Sequence, residues 1–119
     1  MELLRTALLQ IAPCGTLEGN LKKGIEYCKE AKKMGAHIAL FPEMWSCGYD
    51  IGSRNYEEWK KEAVPADGPF VRAFGELARE LSMAIGITFL EKCGAGCRNA
   101  LALFDRNGER VLTYAKVHT

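Results

Sequence analysis

What this sequence does not contain narrows its possibilities first. No apolar run exceeds the length of a strand, whereas a bilayer-spanning helix needs ~20 consecutive apolar residues. Neither sign of charge dominates: 16 Lys and Arg stand against 15 Asp and Glu, for a net charge of +1. That balance removes the electrostatic case for nucleic acid or an anionic membrane surface. The opening residues Met1-Glu2-Leu3-Leu4-Arg5 carry no basic stretch ahead of a long apolar region and no small-residue cleavage site. A secretory leader is therefore not expected, and the cytoplasm is. Cysteine is present without a framework. Cys14, Cys28, Cys47, Cys93 and Cys97 are odd in number and irregular in spacing, which suits reduced thiols better than disulfides. Cys93 and Cys97 flank a Gly-Ala-Gly, but structural zinc takes four ligands and no second pair exists. We expect no metal and no cofactor. Internal repeats, low-complexity stretches and linkers are also lacking.

What is present reads as an α/β chain of one domain at most. Hydrophobic residues are 48% and charged residues 26% of 119, enough for a modest core. Residues 3–11, with Leu8, Leu9 and Ile11, read as a first strand running into Pro13. Thr16 is placed to cap a helix in which Leu17, Leu21, Gly24, Ile25, Cys28 and Ala31 recur at helical spacing through Met34. Gly35 is placed to stop it. Glu18 with Lys22, Glu26 with Lys29 and Glu30 with Lys33 line its outer face, so these lysines are a solvated surface. Residues 37–41 are a second strand. Strand, helix, strand in about forty residues is a parallel pair with a right-handed crossover.

Pro42 then ends the ladder and Glu43 follows at once. A carboxylate at the carboxyl end of a buried strand stands where open α/β sheets place their ligand sites. The next connection, residues 44–68, is long for a compact domain, which marks it as functional. It gathers Trp45, Tyr49, Tyr56 and Trp59 and has a short helix expected at 55–63. Gly68-Pro69 opens another helix, with Phe70, Val71, Phe74, Leu77, Ala78 and Leu81 as its apolar stripe. Residues 83–90 read as one apolar run, a strand buried on both faces. A glycine-rich turn at 93–97 leads to strands at 99–104 and 109–115. Between them, Asp105-Arg106-Asn107-Gly108 signals a hairpin, because Asn-Gly tolerates the positive φ angles of a tight turn. Folding back there brings Lys116 opposite the Arg98–Asn99 end of its partner. Sharing of one sheet rim by Glu43 and Lys116 does not follow from the sequence alone. His37 and His118 read as hydrogen-bonded structural histidines.

At this point the chain resembles the nitrilase superfamily, the carbon–nitrogen hydrolases. The matching pieces are Gln10 and Ile11, Asn20, Gly35-Ala36 before Leu40-Phe41-Pro42-Glu43, Gly48-Tyr49, Gly86, Asn99, and Gly108 with Tyr114-Ala115-Lys116-Val117-His118. No single piece is specific; their order with matching secondary structure carries the likeness. The resemblance implies hydrolysis of a small amide, carbamoyl compound or nitrile by a Cys-Glu-Lys triad. It assigns Glu43 as general base and Lys116 as the cation that stabilises the tetrahedral intermediate. It places Tyr49 and Asn99 against the substrate. The physics of those roles is sound. A thiol attacks as thiolate, a carboxylate within reach can take its proton, and an ammonium in a dry pocket offsets the oxyanion.

The resemblance also exposes a departure. In the family the nucleophilic cysteine and a second glutamate lie beyond the lysine, and this sequence ends at Thr119. None of the five cysteines matches the nucleophile's motif; Cys47, four residues past Glu43, is read as lining the pocket or merely packed. Ala115 stands where an arginine is frequent, and Thr119 where leucine is. We therefore expect residues 1–119 to be the N-terminal half of a carbon–nitrogen hydrolase domain. The expected fold is about half of an α-β-β-α sandwich: one mixed sheet with helices 17–34 and 69–81 on one face. The other face should be apolar, and an apolar face of that size implies a homo-oligomer or a complementary C-terminal half. The alternative is a truncated, non-catalytic paralogue acting as an interaction module.

Overall fold

A computed structural model describes residues 4–47, 61–94 and 96–115. Among these residues five strands form one mixed sheet in the order of the chain. They are β1 (Thr6–Leu8), β2 (Ile38–Leu40), β3 (Ala84–Cys93), β4 (Gly96–Phe104) and β5 (Arg110–Ala115). β1, β2 and β3 run parallel, and β4 and β5 are antiparallel additions. Among the described residues the helices α1 (Leu17–Lys33) and α2 (Pro69–Leu81) lie between the parallel strands in the chain.

Both helices start and stop where local chemistry dictates. The Thr16 hydroxyl accepts from the Gly19 N–H at 3.0 Å, and so caps α1. Gly35, at φ +89°, carries the chain out of the helix through a left-handed residue. Pro69 opens α2 at its first turn. Ser82 ends it in a left-handed conformation, φ 50°, which the sequence did not announce.

The core lies between the helices and one face of the sheet. Alternation places Ala39, Ile85, Ile87, Phe89, Ala100, Ala102 and Phe104 on that face, with Gly24, Cys28 and Ala31 of α1 and Phe70, Val71, Phe74, Leu77 and Ala78 of α2 above them. Gly75 lets α2 descend onto β4: a Cβ there would stand 2.7 Å from Phe104 Cε1. Gly75→Ala should therefore lower stability by ~1–3 kcal/mol through overpacking, although alanine is the better helix former. Urea unfolding checks this; a higher midpoint would show that Phe104 can retreat.

The opposite face carries a row that crosses every strand. Leu8, Leu40, Gly86, Leu103 and Leu112 are successive ladder partners. Leu8 is 65% and Leu112 51% exposed, and Tyr114 on the neighbouring row is 62% exposed. The apolar second face expected from the sequence is present.

Several boundaries differ from the expectations. β1 is three residues long rather than nine, because its ladder follows the short β2. The turn expected over 93–97 is tighter than that, with Gly94 at φ +57°. Cys93 pairs with Gly96 and Lys92 with Cys97, so both strands continue into the expected turn. Asn99 consequently lies inside a strand rather than at its start. The β4–β5 hairpin is wider than an Asn-Gly two-residue turn. The Asp105 N–H donates to the Glu109 carbonyl at 2.8 Å, and the Asp105 carboxylate accepts from the N–H groups of Asn107 and Glu109. Gly108 takes the single positive φ of the loop, +82°, and a register shift at Leu103 and Phe104 precedes the loop. An aspartate that bonds its own downstream amides favours this form over the two-residue one. Of the helix expected at 55–63, all but the last three residues fall outside the described residues.

The thiols divide by burial. Cys14 and Cys93 are exposed and Cys28 is fully buried under α1. Burial pushes the Cys28 thiol up from 9.0 to about 12. Its folded value is raised, so the unfolded chain loses this proton first as pH rises. Stability from this group is complete below pH 9 and is lost progressively between 9 and about 12. Cys28→Ala should shed less stability than the parent across that window. At pH 8 a thiol reagent should label Cys14 and Cys93 while Cys28 reacts only on unfolding. Rapid labelling of Cys28 in the folded chain would contradict its burial.

Candidate active site

The rim of the sheet past the carboxyl end of β2 is built by a short, tightly held segment. Pro42 leaves the ladder, and Glu43 follows with an exposed side chain. Met44 adopts φ 56°, a left-handed conformation that a non-glycine residue takes at a cost of order 1 kcal/mol. Trp45, Ser46 and Cys47 then turn inward and are buried. Two of the four site residues expected from the sequence can be placed. Asn99, on β4, donates from its side-chain amide to the Glu43 carboxylate across 56 residues of sequence. Lys116 and Tyr49 lie outside the described residues. Ala115, the residue before Lys116, pairs with Ala100, the residue after Asn99.

The segment is fastened by side chains to which the sequence alone assigned no such role. Thr88 on β3 donates its hydroxyl to the Pro42 carbonyl and accepts from the Trp45 N–H at 3.1 Å. Ser46 Oγ accepts from the Leu90 N–H at 2.9 Å. Asn20, fully buried in α1, donates from Nδ2 to the Ser46 carbonyl at 3.2 Å and accepts at Oδ1 from the Cys14 N–H at 2.6 Å. The Trp45 indole N–H donates to the Asn20 carbonyl at 2.9 Å. A signal for these roles existed. Thr88 interrupts what otherwise reads as an apolar strand, and Asn20 lies on the apolar stripe of α1. Buried polar groups in such places are there to be bonded.

Asn20→Ala would leave the Ser46 carbonyl and the Cys14 N–H without these partners. An unsatisfied buried group costs ~1–3 kcal/mol, so we expect a loss of ~2–3 kcal/mol in chemical denaturation. A change under half of that would mean that water replaces the amide.

Cys47 is 6% exposed and packs with Met44 and Leu90 in a small cluster that Cys97 and Ala63 border. It is a packed thiol near the rim rather than an exposed one. His37 is structural: its Nδ1 accepts from the Arg5 N–H at 2.8 Å. Among the described residues no group of three or more His, Cys, Asp or Glu side chains is arranged to hold a metal ion. No described helix is long and apolar enough to cross a membrane.

Comparison with known proteins bears on the same geometry. Citrullinase of Francisella tularensis is 27% identical over 115 residues, spanning 97% of this chain and 40% of that protein. N-carbamoylputrescine amidase of Arabidopsis thaliana is 29% identical over 111 residues, 92% of this chain and 37% of that one. The omega-amidase NIT2 of Bos taurus is 29% identical over 119 residues, 99% and 41%. The chain thus spans about two fifths of the length of these curated relatives. Among solved structures, an amidase from Nesterenkonia sp. AN1 superposes with a TM-score of 0.77 at 22% identity, covering 98% of this chain and 45% of its own. The NitFhit protein of C. elegans superposes at 0.79 and 21% identity, covering 98% and 29%. These likenesses confirm the nitrilase-type α/β fold. The family profile for carbon–nitrogen hydrolases matches residues 5–119, and the chain belongs to that family.

Proposed function

We propose that this chain supplies the acid–base side of an enzyme that hydrolyses a non-peptide C–N bond in a small amide, carbamoyl compound or nitrile. Glu43 is the general base and Lys116 the cation facing the oxyanion, with Asn99 and Tyr49 beside the substrate. The nucleophilic cysteine comes from residues other than these 119. The observation that carries this reading is the Glu43 carboxylate at the sheet rim, held by Asn99. The strand pairing supports it too, since Ala115 beside Lys116 lies opposite Ala100 beside Asn99. An acid oriented by a neutral donor keeps its lone pairs aimed at one place, which a base needs before its pKa matters.

The names of the relatives favour carbamoyl and amide substrates, since citrullinase, N-carbamoylputrescine amidase and omega-amidase are among them. In a mutant of the Nesterenkonia amidase, acrylamide has added to the active-site cysteine, so an amide on this fold meets a thiol there. We place the complementary half of the domain, or a second copy, on the leucine row of the open face.

Ammonia release tests the reading. The 119-residue chain alone, given simple amides and N-carbamoyl amines, should release none above background. The product of the uninterrupted reading frame that encodes the chain should release it. Turnover by the 119 residues alone, abolished by Cys47→Ser, would move the nucleophile to Cys47 and overturn the proposal. A stop codon directly after Thr119 would overturn it in favour of the non-catalytic paralogue.

A further inference from the structure

We infer that Thr88 is a positioning residue for Glu43, acting through the backbone on either side of it. This rests on the reading of Glu43 as the base. Thr88 is buried, 6% exposed, and its hydroxyl uses both of its functions on one short segment. It donates to the carbonyl of Pro42, one residue before Glu43, and accepts from the N–H of Trp45, two residues after. Glu43 and the left-handed Met44 are thereby enclosed in a loop whose two ends meet on one oxygen. Conformations of that kind persist where the surroundings over-determine them. A valine has the same shape and could fill the same space, but it offers neither bond.

β3 also carries the other end of the arrangement. Leu90, two residues on, donates its N–H to Ser46 Oγ and is the ladder partner of Asn99. The loop that bears the carboxylate and the strand that bears its amide partner are therefore both referenced to the same stretch of β3. Thr88 sets where the loop begins and turns, and the Leu90–Asn99 pairing sets where the amide waits. Loss of the hydroxyl frees the loop while leaving β3, β4 and Asn99 in place, so the carboxylate drifts from the amide and from whatever it serves.

The side-chain amide resonance of Asn99 reports this contact in the 119-residue chain without any turnover. Thr88→Val should move that resonance to where Glu43→Ala puts it, and Thr88→Ser should return it to the parent position. In a protein competent for turnover, Thr88→Val should lower kcat by ~10²-fold with KM unchanged, the scale of a 1 Å misplacement, and Thr88→Ser should recover it. A folded Thr88→Val with the parent Asn99 resonance would overturn the inference, whatever its stability. Should Thr88→Val not fold, Thr88→Cys, a weak donor and acceptor, should shift the resonance part of the way, and an unmoved signal there would overturn it equally. A shifted resonance with unchanged kcat would count against Glu43 as base and leave its placement by Thr88 standing.

Discussion

Glu43→Gln should reduce hydrolysis by ~10²- to 10⁴-fold in the turnover-competent protein, the span that a positioned general base contributes. Glutamine is the informative replacement. It keeps the length of the side chain and an oxygen that can still accept from the Asn99 amide. It keeps no basicity. The rim should be unchanged in structure while the thiol loses the group that takes its proton. The loss should fall on kcat more than on KM, because the missing step belongs to the transition state and not to binding. Turnover within a few-fold of the parent would remove Glu43 from the role of base and leave it a structural partner of Asn99.

Phe74→Ala should cost ~3–5 kcal/mol, as expected for emptying a buried aromatic site. Phe74 is fully buried and meets Phe41 edge-on at 5.2 Å between ring centroids and Phe70 at 5.4 Å. Its Cζ stands 2.9 Å from where a Cβ on Gly24 would be, so the ring of α2 reaches the backbone of α1 with no side chain between them. One ring thus joins both helices to the end of β2, and no neighbour can slide into its space without pulling a helix inward. Domains of this size have ~5–15 kcal/mol in total, so the variant should lose about a fifth or more of its stability. Near-ultraviolet circular dichroism and urea unfolding together measure this. A midpoint close to that of the parent would mean that α1 and α2 collapse onto one another.

Much of the scaffold was legible because local chemistry marks it. Thr16 and Gly35 bracket α1, Pro69 opens α2, and the apolar run at 83–90 is β3. Each of these signals acts within a few residues. The length of a ladder does not, which is why β1 proved short and β4 began at Gly96, three residues earlier than expected. A strand ends where its partner ends, and the partner is elsewhere in the sequence. The same division holds at the rim. Glu43 could be singled out from Pro42 and the strand before it. Its contact with Asn99 joins residues 56 apart and exists only through the alignment of three strands. Thr88 was hidden by its neighbours, since one hydroxyl among apolar residues barely disturbs the pattern of a buried strand. Tyr49 stands on the resemblance alone, and Lys116 on the resemblance together with the pairing of Ala115 beside it.

The leucine row has a gap that is not empty. At Gly86 the centre of the row lacks a side chain, and a methyl of Leu40 leans into the opening, 2.6 Å from where a Cβ would be. One leucine therefore roofs two strands, and the relief of this surface hangs on a single hydrogen atom. Gly86→Ala would tip Leu40 outward and raise a knob in the middle of the open face, while the helical side of the sheet kept its shape. Whatever fits this face must do so by contour, and its contour can be rewritten from within without touching the rim where the carboxylate waits.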